Sequence, residues 1–70
     1  MHVLVADDHS IVRSGLIQIV MKIDEVSSVE EAINGQEALA KIENNQYDLI
    51  ILDISMPGLN GMDVLKAMKD

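Results

Sequence analysis

Asp7 and Asp8 follow the aliphatic run Val3-Leu4-Val5-Ala6, and Asp53 follows the run Leu49-Ile50-Ile51-Leu52. Short apolar runs of this kind read as strands buried on both faces, which favours a parallel sheet. If the two strands are parallel neighbours, their C-terminal ends lie side by side and the three carboxylates meet at one rim. Open α/β sheets hold their ligands at that rim. Two carboxylates about 4 Å apart repel by roughly 4 kcal/mol at an effective dielectric of 20. Such a cluster needs a cation, and a hard divalent ion such as Mg2+ is the natural candidate.

The elements that must position these acids are legible in turn. Residues 2–6 read as the first strand. A helix over about residues 10–22 follows, with Ser10 as a plausible N-cap. Val12, Leu16, Ile19, Val20 and Ile23 form its apolar face, and Arg13, Gln18 and Lys22 fall mostly off it. Residues 26–32 form a second strand whose polarity suits a sheet edge. Asn34 caps a second helix, with Glu37 at the capping-box position, and Asn44-Asn45-Gln46 end it. Residues 48–53 are the third strand. Pro57-Gly58 and Asn60-Gly61 mark a loop, and Asn60 caps a last helix carrying Leu65 and Met68. The order is βαβαβα, in units of the length that right-handed crossovers need. With the polar strand outside, the strand order is 2-1-3, the first half of a flavodoxin-like parallel sheet.

Seventy residues bound the chain to one small domain, here taken as 1–70. A net charge of −7 argues against direct binding to nucleic acid or anionic membrane by this segment. With no cysteine, disulfides and thiolate metal sites are excluded. Tyr47 is the only aromatic residue, so the core must be aliphatic. No apolar run approaches the roughly 20 residues of a membrane span, and no signal peptide is visible, so the expected location is cytoplasmic.

Taken together, Val3-Leu4-Val5-Ala6-Asp7-Asp8-His9, Asn34-Gly35-Gln36-Glu37-Ala38-Leu39, Asp48-Leu49-Ile50-Ile51-Leu52-Asp53 and Ile54-Ser55-Met56-Pro57-Gly58-Leu59-Asn60-Gly61 resemble the receiver domain of two-component response regulators. The stretch from Asp7 to Leu16 resembles the subclass whose members carry a C-terminal helix-turn-helix DNA-binding domain. The resemblance implies that Asp53 accepts a phosphoryl group from the phosphohistidine of a sensor histidine kinase. It also implies that Asp8, Asp53 and the backbone carbonyl of Ser55 bind Mg2+ directly, while Asp7 acts through water. Met56, Pro57 and Gly58 form the loop beside the site. Such a domain catalyses only its own phosphorylation and dephosphorylation and is not an enzyme with external turnover. DNA would be reached only through an output domain outside this sequence.

The family's pattern continues past this chain, to a five-stranded sheet with a Ser or Thr ending strand 4 and a Lys ending strand 5. No residue here matches either, Lys66 and Lys69 included. The start at Met1 suggests a natural N-terminus and a truncated C-terminus. Two other readings stand beside the first. One is a fragment that cannot be phosphorylated and acts only by association, as a homodimer or strand-paired oligomer built on the uncovered third strand. The other is a haloacid-dehalogenase-like phosphatase, whose Asp-x-Asp motif Asp7-Asp8-His9 does not match. His9 reads as a loop residue near the site, Lys22 and Lys41 as solvated charges, and Met56, Met62 and Met68 as packing.

Overall fold

The computed structural model describes residues 1–53. Five elements follow one another: β1 (His2–Ala6), α1 (Ser10–Met21), β2 (Ser28–Ala32), α2 (Gly35–Asn44) and β3 (Leu49–Leu52). The strands are parallel, in the order β2-β1-β3. Asn60, Leu65, Met68 and the last helix expected from the sequence lie outside the described residues.

β1 is the centre of the molecule. Val3, Leu4, Val5 and Ala6 are all buried, as a strand covered on both faces demands. Alternation along the strand sorts them. Val3 and Val5 pack with Val20, Leu16 and Ile17 of α1 and with Val26, Val29 and Ile51. Leu4 and Ala6 pack with Ala32, with Ala38, Leu39 and Ile42 of α2, and with Tyr47, Ile50 and Leu52. Among the described residues the core is therefore two thin, mainly aliphatic layers, one on each face of the sheet. β2 is the polar edge strand expected, although it starts at Ser28 rather than at residue 26. Val26 instead closes a turn onto Ile23, and the Ser27 N–H donates to the Met1 carbonyl.

The apolar face of α1 differs from the expected one. Leu16, Ile17 and Val20 face the sheet, while Val12, Ile19 and Ile23 are exposed together with Ile11. The helix carries more aliphatic residues than one face can bury, so periodicity alone does not select the face that docks. Arg13, expected off the buried face, has a side chain only 14% exposed.

The helix starts also differ from each other. Asn34 caps α2 through its side chain, which accepts the Glu37 N–H at 2.8 Å. The returning Glu37 carboxylate takes the Ile33 N–H at 3.3 Å, one residue before the capping-box position. In α1 the cap position is His9, not Ser10, and its side chain makes no capping bond. The cause lies upstream. Asp7 Oδ1 accepts the His9 N–H at 2.8 Å, a local Asp turn that delivers the chain into the helix one residue early.

A polar cluster ties down the other end of the sheet. The His2 ring stacks on Tyr47 with centroids 4.7 Å apart. Its Nε2 lies 2.8 Å from Glu30 Oε2, and its Nδ1 meets the Ser28 hydroxyl. The Tyr47 hydroxyl donates to the same Glu30 oxygen at 3.2 Å. Lys41, expected to be solvated, donates to the Glu31 carbonyl at 2.6 Å and so links α2 to β2.

Candidate functional site

The strand order reverses between β1 and β3. β2 lies on one side of β1 and β3 on the other, with α1 against one face of the sheet and α2 against the other, which makes the C-terminal rim between β1 and β3 the switch point where open α/β sheets hold ligands. Register fixes what stands there. Ala6 is opposite Leu52 in β3 and opposite Ala32 in β2. The ladder extends one step beyond the strands on both sides: the Asp53 N–H donates to the Ala6 carbonyl at 3.0 Å, and the Asp7 N–H to the Ala32 carbonyl at 3.1 Å. Asp53 is thereby pinned beside Asp7 and Asp8 although more than forty residues separate them in sequence.

The expected meeting of the three acids is observed, and His9 joins it. One ligand atom from each of Asp7, Asp8, His9 and Asp53 lies within 4.8 Å of the others. His9 Nδ1 stands 2.9 Å from Asp8 Oδ1, 3.1 Å from Asp7 Oδ1 and 3.7 Å from Asp53 Oδ2. The acids differ in exposure. The Asp7 side chain is 6% exposed and committed to the His9 amide, whereas those of Asp8 and Asp53 are 31% and 24% exposed. The positive end of α1 also faces the rim and offsets part of its negative charge. The His9 imidazole is held above its usual value, first by its hydrogen bond to Asp7 and then by the charge of Asp8, with smaller contributions from the charges of Asp7 and Asp53. Partial desolvation opposes the rise.

Two residues have a larger part than their sequence positions suggested. His9 belongs to the cluster rather than to the loop beside it. Arg13 braces the rim: one guanidinium nitrogen donates to the Asp7 carbonyl at 2.9 Å, and Nε donates to Glu31 Oε1 at 2.7 Å. The signal that could have found Arg13 is its spacing, one helical turn after His9 and hence on the side of α1 that looks at the rim. Ser55, Met56, Pro57 and Gly58 lie outside the described residues.

Three carboxylate groups with graded exposure form an oxygen donor set that fits a hard dication such as Mg2+. The two more accessible acids, Asp8 and Asp53, would hold it.

The Response regulator receiver domain family matches residues 3–70 of this chain. Among curated relatives, the chain is 35% identical over 68 residues to the nitrate/nitrite response regulator protein NarL of Escherichia coli, covering 97% of this chain and 32% of the relative. It is 41% identical over 66 residues to the transcriptional regulatory protein YhcZ of Bacillus subtilis, covering 94% of this chain and 31% of that protein. Among solved structures, the response regulator TrrA of Thermotoga maritima, in complex with Mg2+ and BeF, superposes with a TM-score of 0.81 at 37% identity, over 97% of this chain and 57% of that one. The receiver domain of the hybrid histidine kinase CckA superposes with a TM-score of 0.80 at 34% identity, over 99% of this chain and 64% of that one. The chain thus spans about a third of the length of the curated relatives it matches. With its parallel β2-β1-β3 sheet and the acids gathered at the switch point, this chain belongs to the response regulator receiver domain family.

Proposed function

We propose that the chain is the N-terminal, acceptor-bearing portion of a receiver domain that takes a phosphoryl group from a sensor histidine kinase onto Asp53. The observation that carries this reading is the register that pins Asp53 beside Asp7 and Asp8. A carboxylate oxygen of Asp53 attacks phosphorus, and the bond from phosphorus to the kinase's histidine nitrogen breaks. Bound Mg2+ supplies charge neutralisation to the phosphoryl oxygens. Asp8 and Asp53, joined by the Ser55 backbone carbonyl on the family resemblance, would hold the metal directly. Asp7, buried and tied to the His9 amide, orients the loop and acts through water. The chemistry is self-phosphorylation and self-dephosphorylation, with no external turnover.

The whole protein is a cytoplasmic transcription regulator whose DNA contacts come from an output domain, a reading supported by the likeness to NarL and YhcZ. A protein partner also suits the surface of α1, which leaves Ile11, Val12 and Ile19 exposed. Mg2+-dependent binding of beryllofluoride, followed by NMR shifts of the Asp53 and Asp8 amides, tests the acceptor reading. Shifts absent at saturating Mg2+ would contradict it.

One observation favours association between copies. Among the described residues β3 pairs only with β1, and Leu49 on it is 39% exposed. An apolar edge that lacks a partner strand recruits other strands, and on that ground strand-paired association is proposed for the 70-residue chain. Sedimentation showing a folded monomer at low micromolar concentration would exclude it.

A further inference from the structure

We infer that Arg13 is a positioning residue for the cation site: its guanidinium fixes the peptide that joins Asp7 to Asp8 and so holds the Asp8 carboxylate where the ion binds. The inference rests on the reading of Asp8 as a direct Mg2+ ligand.

The peptide between Asp7 and Asp8 is planar, so whatever orients its carbonyl also sets the Asp8 nitrogen and Cα. The Asp7 N–H donates to the Ala32 carbonyl at 3.1 Å, and β2 ends at Ala32. The Asp7 carbonyl accepts instead from the Arg13 guanidinium at 2.9 Å, which reaches it from the first turn of α1. A side chain thus carries on at Asp7 the restraint that the strand ladder supplies as far as Ala6.

Arg13 is held in turn. Its Nε donates to Glu31 Oε1 at 2.7 Å, and its backbone N–H donates to the His9 carbonyl at 2.9 Å. A guanidinium presents its donors in a rigid planar fork, so two acceptors on different segments fix its plane. The side chain is 14% exposed, which limits competition from water for these bonds. Lys41 Nζ donates to the Glu31 carbonyl at 2.6 Å. The loop that carries Asp8 is therefore strapped to β2 and, through Lys41, to α2.

Three roles for Arg13 predict three different responses. A cation near the rim repels a second cation, so removing Arg13 would tighten Mg2+ binding if its charge were what mattered. A role in stability alone would leave the affinity of the folded protein unchanged. Positioning predicts weaker binding, since residues that orient metal ligands typically account for about 10- to 100-fold in affinity.

Calorimetric titration with Mg2+, at a temperature where far-UV circular dichroism shows each variant folded, tests this. Arg13→Ala should bind Mg2+ more weakly, on the order of tenfold. Arg13→Lys keeps the charge but lacks the fork, and should also bind more weakly. His2→Ala, which loses its contacts with Glu30 and Tyr47 at the opposite end of the sheet, should bind like the wild type. In the metal-free protein, NMR relaxation should show the Asp8 amide losing order in both Arg13 variants and not in His2→Ala. Affinity unchanged or tightened in the Arg13 variants, with Asp8→Ala still weakened, would overturn the inference and leave the cation site standing. Equal weakening by His2→Ala would overturn it too, by showing that lost stability is the cause. Failure of the wild type to bind Mg2+ would overturn the cation site and this inference together.

Discussion

The Asp53 N–H donates to the Ala6 carbonyl at 3.0 Å, continuing the β1–β3 ladder one residue past the end of β3. This bond sets the height of Asp53 against Asp7 and Asp8. A slip of one residue would turn Asp53 to the opposite face of the sheet and take its carboxylate from the rim.

Asp7 and Asp8, although adjacent, should respond differently to removal. Asp8→Ala should lower Mg2+ affinity more than Asp7→Ala, because the Asp8 carboxylate is the more exposed of the two. Asp7→Ala should instead cost stability, about 1 kcal/mol for the lost, partly buried bond to the His9 amide. Calorimetric titration with Mg2+ and urea melts of both variants separate the two effects. Equal losses of affinity would contradict the assignment.

Tyr47 is pushed up to about 12 from an ordinary value of 10.0, first by burial and then by its hydrogen bond to Glu30 and that carboxylate's charge. The folded state thus favours the neutral phenol. The stability this contributes is full below pH 10.0 and is lost as pH rises through about 12. Tyr47 is the only aromatic residue, so absorbance at the phenolate band reports it alone. The folded wild type should titrate near 12 and Glu30→Gln lower. A wild-type midpoint at the ordinary value would contradict the packing of His2, Glu30 and Tyr47.

The α2 cap offers a cleaner stability test. Asn34→Ala removes the 2.8 Å bond to the Glu37 N–H and should cost about 1 kcal/mol. Asn34→Gly should cost only a few tenths of that. Similar losses for both variants would show that the cap bond is not what holds this helix start.

Gly15 is an exposed residue within α1, and a methyl group built on it would meet nothing within 4 Å. Gly15→Ala should therefore stabilise the chain by about 1 kcal/mol in denaturant melts, through helix propensity alone. A destabilised variant would mean that the α1 surface around Gly15 is covered in solution.

Strand order, both helices and the gathering of the acids were legible because burial on both faces leaves an uninterrupted aliphatic run, and β1 and β3 each end in acid. The docking face of α1 was not legible. Ile11, Val12 and Ile19 match helical spacing as well as Leu16, Ile17 and Val20 do, and only the side that α1 turns to the sheet separates the two sets. Ser10 looked like a cap because its type suits one, but the Asp7 turn fixed the entry one residue earlier. The role of His9 depends on where its ring points, which residue type and spacing do not encode.

Phosphoryl labelling of the acceptor tests the central claim most directly. The protein, incubated with acetyl phosphate and Mg2+ and weighed by intact-mass spectrometry, should gain one phosphoryl group in the wild type and none in Asp53→Asn. Withholding Mg2+ should abolish the gain. Equal labelling of wild type and Asp53→Asn would contradict the account.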